Sequence, residues 1–472
     1  MDVVIALDQG TTNTKALAID ETGAVVARAS VPVAIAHPAP RQAEQDAEEI
    51  WHLSVEVIRA CLDRVGARHV AGLAISNQRE SVVAWDPTTG MPIAPLLSWH
   101  DTRTVEQCAQ LASDDIATLV HERTGLPIDP MFSAPKMAWL LQRAAGNTLV
   151  GTVDSWLVWK LTGGRSHVIE AGNASRTLLF RLDKLNWDDD LLHLFEVPAS
   201  ALPEVRSSST QMGVVACDGL PSGLPILAVM ADSHAALRGH GGGSPELVKA
   251  TYGTGSSVMQ GSGARLRYRS GIATTLAWLT DHPTYALEGN IRYSGAALDW
   301  TARILGVQNS AALSALASTV PDAGGVSLVP AFAGMGAPFW DPSAVGVLTG
   351  LTAGATPAHV ARAAFDAVAM QVTDVVEAMN DEAGELGFLR ADGGATVSTL
   401  LMQTQADALG APVTVAGQAD VALYGAAELA FEALGKRLPP CPASATYNPR
   451  LDARARRKAR GQWSRAVGRA RL

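Results

Sequence analysis

Residues Asp8-Gln9-Gly10-Thr11-Thr12-Asn13-Thr14-Lys15 constrain the fold more than any other stretch of the chain. An apolar strand, Val3-Val4-Ile5-Ala6-Leu7, runs into a small hydroxyl-rich turn and leaves through a second strand, Ala16-Leu17-Ala18-Ile19. A hairpin of this make can hold phosphate. Gly10 lets the backbone approach an anion, successive N–H groups and the threonine hydroxyls donate hydrogen bonds, and Lys15 adds charge. Asp8, at the end of a buried strand, is placed to hold a magnesium ion or its water shell. Standing alone, the segment also fits an ordinary hairpin with threonine-rich turn chemistry.

Half a chain later the device returns. Tyr252-Gly253-Thr254-Gly255-Ser256-Ser257 is again hydroxyl-rich and again followed by an apolar run, Val258-Met259. Two such turns suggest duplication. A third small-residue turn, Asp392-Gly393-Gly394-Ala395, precedes a helical pattern through Leu400, Leu401, Met402, Gln405 and Leu409, where a positive helix end accepts an anion or the sugar and base of a nucleotide.

A length of 472 residues exceeds one ordinary core, so two domains of roughly 200 residues or more are expected. Strand and helix signals alternate: a helix around Ala47–Leu62, a strand Val70–Ile75, and a strand Pro225–Met230 that delivers Ala231-Asp232-Ser233-His234 at its carboxyl end. Ligand chemistry in open α/β sheets sits at such ends. Gly239-His240-Gly241-Gly242-Gly243-Ser244-Pro245 has nothing to pack into a core and marks the boundary, giving domains 1–243 and 244–472. No Walker A pattern occurs, which disfavours a P-loop mechanism.

The net charge of −9 argues against a nucleic-acid partner, because broad phosphate binding needs an excess of Lys and Arg. A local ATP site with magnesium remains compatible with it. The four cysteines, Cys61, Cys108, Cys217 and Cys441, lie too far apart for a zinc motif or a disulfide framework. Without a signal-like start or an apolar run of roughly 18 residues, a cytoplasmic location and no membrane partner are expected. The arginine-rich C-terminal segment, with Trp463 and Val467 at helical spacing, reads as a solvated terminal helix rather than a docking arm.

Three groups of residues suit chemistry on a hydroxylated substrate. Arg79-Glu80, after Asn77-Gln78, offers rigid donors beside acceptors and could bracket two adjacent hydroxyls, though a surface salt bridge fits the pair equally. Trp99, in Trp99-His100-Asp101-Thr102-Arg103, could lie against the carbon chain of a sugar or belong to the core. Asp232 is the candidate general base for phosphoryl transfer, its alternative being a helix N-cap, and His234 is read as structural.

Taken together, the ordered motifs resemble the FGGY family of carbohydrate kinases, most nearly its glycerol kinases. They are Ala6-Leu7-Asp8-Gln9-Gly10-Thr11-Thr12, Asn77-Gln78-Arg79-Glu80, Asp154-Ser155-Trp156-Leu157, Asn173-Ala174-Ser175-Arg176-Thr177, Tyr252-Gly253-Thr254-Gly255, Ala286-Leu287-Glu288-Gly289, Gly336-Ala337-Pro338-Phe339-Trp340-Asp341-Pro342 and Asp392-Gly393-Gly394-Ala395. The resemblance implies an α/β, actin/hexokinase-like ATPase fold: two RNase-H-like domains around a nucleotide cleft, ATP and magnesium within it, and a small polyol or sugar beneath. It implies nucleotide contacts from Thr11, Thr12, Asn13, Lys15, Thr254, Gly295 and Gly394, metal binding by Asp8, and an acceptor pocket of Arg79, Glu80, Trp99 and Asp232, with Asp232 as base. A homodimer or homotetramer is the assembly expected.

Five positions depart from the glycerol kinase pattern. Met131 stands for a tyrosine, Ser233 for a glutamine and Ser257 for a phenylalanine on the acceptor side; Asp299 stands for a glutamine and Ser398 for an asparagine near the base. Loss of three walls makes room for a polyol or ketose of four or five carbons as well as glycerol. The rival readings are a xylulokinase-like pentulose kinase and a non-metabolic actin-like ATPase.

Overall fold

Strand signals at both ends of the chain resolve into two sheets of the same design. The computed structural model describes residues 2–144, 146–380 and 387–472. In the first sheet Val3–Gln9, Asn13–Asp20 and Val25–Pro32 form an antiparallel meander; Val70–Asn77 runs parallel to Val3–Gln9, and Pro225–Ala231 runs parallel to Val70–Asn77. In the second, Leu247–Tyr252, Ser256–Gly263 and Pro283–Ile291 lie side by side antiparallel, with Ala273–Leu279 added on the outer edge of Pro283–Ile291. Phe388–Asp392 and Val413–Ala416 then follow in parallel. The repeated order, three antiparallel strands then two parallel ones, is the duplication that the paired turns suggested.

The first opening strand is apolar from Val3 to Leu7 and buried on both faces, as a parallel neighbour requires; the second, Leu247–Tyr252, is as well covered but encloses Lys249. The helix Ala47–Val65 covers the first sheet with Ile50, Trp51, Val55 and Ile58, one helical face; Asp46 caps it by accepting from the Glu48 and Glu49 N–H groups. Pro357–Met379 does the same for the second sheet through Phe365, Val368, Val372 and Val375. The helix Val421–Ala433, although late in sequence, packs on Val3–Gln9 and Val70–Asn77 and against the helix Asp232–Gly239, so the two lobes share a core. The seam is a glycine contact: a Cβ on Gly425 would lie 1.9 Å from the Ala235 carbonyl oxygen.

The C-terminal helix Ala453–Ala470 buries Trp463, Ala466, Val467 and Ala470, and Trp463 Nε1 donates to Asp374 Oδ2 at 2.6 Å. Most of its arginines face outward, whereas Arg460 turns in to Asp374 at 2.7 Å. Among the described residues no helix is long and apolar enough to cross a membrane.

Candidate active site

Both hairpin turns lie at equivalent ends of their sheets. In the first, Gly10 N–H donates to the Asn13 carbonyl at 3.0 Å and Asp8 faces Lys15 across the ladder. Thr12 is exposed at the tip, with Thr11 and Asn13 half-buried beside it. In the second, Gly253 N–H donates to the Gly255 carbonyl at 2.9 Å. The helix Gly295–Ile304 starts against that turn: Gly295 N–H donates to Gly253 and Ala296 N–H to Thr254. A Cβ on Gly295 would meet the Gly253 carbonyl oxygen at 2.6 Å, so only glycine fits this close approach. Gly393, at φ +94°, likewise presses on Tyr252 and leaves Gly394 exposed at the third turn.

The side chains around the turns are already partnered across the lobes. Lys15 Nζ lies 2.7 Å from Asp420 Oδ1, just before the helix Val421–Ala433. His240, after the helix that Asp232 begins, meets Asp392 of the third turn at 2.6 Å. Ser398 caps the helix Thr399–Leu409 by accepting from Leu401 N–H at 3.2 Å, and its hydroxyl meets Ser314 at 3.3 Å. Asp299 is exposed and lines a cavity of about 920 Å³ with Trp300, Arg303, Phe332 and Val345, a groove that includes neither Asp232 nor either hairpin turn.

Asp232 opens its helix as the first helical residue, not as the N-cap, which is Ala231. Its side chain keeps 37% of its exposure and so is reachable from the cleft. Arg79 Nε lies 3.3 Å from Asp232 Oδ1. Burial raises the Asp232 carboxyl above its usual range; Arg79 opposes this and Glu80 adds to it. Asp8, bonded to Ser76 at 2.7 Å, is pushed up to about 7 by burial, with the Asp232 and Asp420 carboxylates adding to the rise.

Arg79 and Glu80 are buried, not a surface pair. Arg79 Nη1 lies 2.7 Å from Glu288 Oε1, Arg176 Nη2 lies 2.9 Å from Glu288 Oε2, and Arg176 Nε donates to Glu80 Oε1 at 2.7 Å. Two arginines and two glutamates thus alternate across the lobes. Burial alone would raise Glu288, but Arg176 and Arg79 outweigh it and hold the carboxyl down to about 2. Arg79 Nη1 and Arg176 Nη2 meet Glu288 as ion pairs without hydrogen-bond alignment, and Arg176 Nη1 has no hydrogen-bond acceptor among the described residues. Such donors suit a hydroxylated guest. Glu80 itself sits at φ 62°, a left-handed conformation that costs on the order of 1–3 kcal/mol and marks a site held by its surroundings.

Trp99 Nε1 donates to Thr11 Oγ1 at 2.9 Å, and His100 stacks on its ring at 3.5 Å, so the tryptophan ties this pocket to the first turn. Met131 is half-buried; its N–H donates to Asp129, which lies 3.7 Å from Arg292 of the other lobe. Ser233 is half-buried beside Asp232. Ser257 lies between Lys249 and Glu288. His234 is fully buried against Thr275, a structural position.

Arg176, Lys249, Glu288, His240 and Asp420 were not singled out by the residue patterns. The available signal was a charge inside an apolar strand: Glu288 follows Ala286-Leu287, and Lys249 follows Leu247-Val248.

This architecture is that of the actin/hexokinase-like ATPases, with paired hairpin turns and a buried ion cluster between two lobes. The chain matches the N-terminal domain of the FGGY family of carbohydrate kinases over residues 3–239 and its C-terminal domain over 248–434. A glycerol kinase of Alkalilimnicola ehrlichii is 43% identical, covering 100% of this chain and 98% of its own. An apulose kinase of Pectobacterium atrosepticum is 42% identical with the same coverage. The crystal structure of Plasmodium falciparum glycerol kinase with ADP superposes with a TM-score of 0.92 at 28% identity, covering 100% of this chain and 99% of that one. The chain belongs to the FGGY family of carbohydrate kinases, and it is a phosphotransferase of that family.

Proposed function

We propose that the protein transfers the γ-phosphoryl group of ATP to a terminal hydroxyl of a small polyol or sugar, either glycerol or a polyol or ketose of four to five carbons. The observation that carries this reading is the accessible Asp232 carboxylate, 3.3 Å from Arg79 and in electrostatic contact with Asp8 below the first phosphate turn. Arg79 and Glu80 orient two hydroxyls of the acceptor, and Trp99 covers its carbon chain. Asp232 takes the proton of the hydroxyl as its oxygen bonds to phosphorus and the bond to the ADP oxygen breaks. Thr11, Thr12 and Asn13 from residues 1–243 and Thr254, Gly295 and Gly394 from 244–472 hold the phosphates and nucleoside from two sides, and Lys15 exchanges Asp420 for a phosphate.

Asp8 fits a hard divalent cation: it is a carboxylate pushed upward by neighbouring carboxylates, a penalty that a cation removes. Among the described residues no cluster of three or more ligating side chains encloses a metal, which fits magnesium shared with phosphate oxygens and water. When bound it neutralises charge on the phosphates.

A pentulose kinase is the second reading, supported by the relative named apulose kinase and by the small side chains at Ser233 and Ser257. ADP release measured with ATP, magnesium and single acceptors tests the proposal. Stimulation by glycerol, a tetritol or a pentulose is expected. An ATPase rate indifferent to every polyol and sugar would favour an actin-like ATPase instead.

A further inference from the structure

One half-buried hydroxyl in the pocket has its hydrogen-bonding polarity set by two sealed charges. Ser257 lies in the strand Ser256–Gly263, facing Thr251 on one neighbouring strand and Asn290 on the other. Lys249 Nζ, fully buried, donates to Ser257 Oγ at 3.3 Å and to Thr251 Oγ1 at 3.0 Å. Ser257 Oγ in turn donates to Glu288 Oε1 at 3.2 Å.

A serine hydroxyl has one proton and two lone pairs. Here Glu288, a carboxylate flanked by Arg79 and Arg176, takes the proton, and the ammonium of Lys249 takes one lone pair. One lone pair remains on the half-buried residue, while Lys249 and Glu288 have no exposure of their own. Ser257 and the candidate base share this network: Arg79 Nη1 reaches Glu288 Oε1, the oxygen to which Ser257 donates, and Arg79 Nε reaches Asp232 Oδ1. The remaining lone pair accepts from an O–H. It cannot satisfy a carbonyl, and it is left unpaired by a methylene.

We infer that Ser257 is a specificity-determining residue that accepts a hydrogen bond from an acceptor hydroxyl other than the one phosphorylated, so the substrate class is a polyol or sugar of four or more carbons bearing a hydroxyl at that carbon. The inference rests on the phosphotransfer reading above. Lys249 and Glu288 act through Ser257 and are positioning residues.

Matched acceptors test it with the full-length enzyme, ATP and magnesium. Erythritol, D-threitol and L-threitol are compared with butane-1,2,4-triol, which has a methylene in place of one secondary hydroxyl, and with glycerol. For the wild type the best tetritol should exceed butane-1,2,4-triol in kcat/KM by about ten- to a hundredfold, the worth of one buried hydrogen bond. Ser257→Ala, which removes one oxygen from a half-buried position, should reduce that ratio to about twofold or less, and Ser257→Thr, which keeps the hydroxyl, should retain most of it. A tetritol no better than butane-1,2,4-triol in the wild type overturns the inference, whatever the variants do. So does a ratio unchanged in Ser257→Ala. If wild-type ADP release answers to none of these acceptors nor to any pentulose, the phosphotransfer reading fails, and this inference falls with it.

Discussion

Arg79 Nη1 lies 2.7 Å from Glu288 Oε1, an ion pair with 7% side-chain exposure on one side and none on the other, joining the strand end of one lobe to a central strand of its neighbour. The same guanidinium reaches Asp232. A single side chain therefore links the interlobe ion cluster to the carboxylate proposed as base, and the proposed acceptor pocket draws its charges from both lobes.

Removing one member of such a cluster strands the rest. Glu288→Gln leaves buried Arg176 with Glu80 and buried Arg79 with Glu80 and Asp232, and should cost about 3–5 kcal/mol of unfolding free energy, read from denaturant melts. In the folded fraction, KM for the acceptor should rise far more than KM for ATP. Equal changes in both would remove Glu288 from the acceptor side.

Asp8 sets a pH dependence of definite sign. Its carboxyl rises from 3.8 in the unfolded chain to about 7 in the fold, so the native state holds a proton that the unfolded state has lost between those values. Stability from this group therefore falls as pH rises from about 4 to about 7 and levels off above. Without nucleotide or metal, Asp8→Asn should melt roughly 2–4 °C above the wild type near pH 8 and match it near pH 4. Affinity for magnesium–ATP should weaken in the wild type as pH drops below about 7 and lose that dependence in the variant. Identical pH profiles for the two proteins would remove Asp8 from the metal site.

Gly295 tests the nucleotide side. Its Cβ position lies 2.6 Å from the Gly253 carbonyl oxygen, so Gly295→Ala must push the start of its helix off the second turn. The expected result is a rise in KM for ATP by about tenfold or more with little change in KM for the acceptor, measured by initial rates with each varied in turn.

Much of this was legible in the chain. The strands flanking the first hairpin turn were readable because a buried strand needs an apolar run, and the helix was readable from its period over 47–62, one turn short of its end at Val65. Asp232 stood out because its strand ends where ligands bind in α/β sheets, and the structure does put it at that strand end. The ion cluster was not readable, since Arg79, Arg176 and Glu288 are far apart in sequence and meet only when the two sheets face each other. The Lys15–Asp420 and His240–Asp392 pairs were hidden for the same reason, because nothing local to either residue specifies its partner. Asp299 shows what the resemblance left out: it lies on the helix that Gly295 begins and lines a groove with Trp300 and Arg303, a surface no local pattern announces.

The central claim is that Asp232 deprotonates the acceptor hydroxyl. Its most direct test is Asp232→Asn, assayed for turnover at saturating acceptor and for ATP affinity by calorimetry. The expected kcat is lower by about 10²–10⁴, with ATP affinity within about threefold of the wild type. A variant that turns over at nearly the wild-type rate would contradict it.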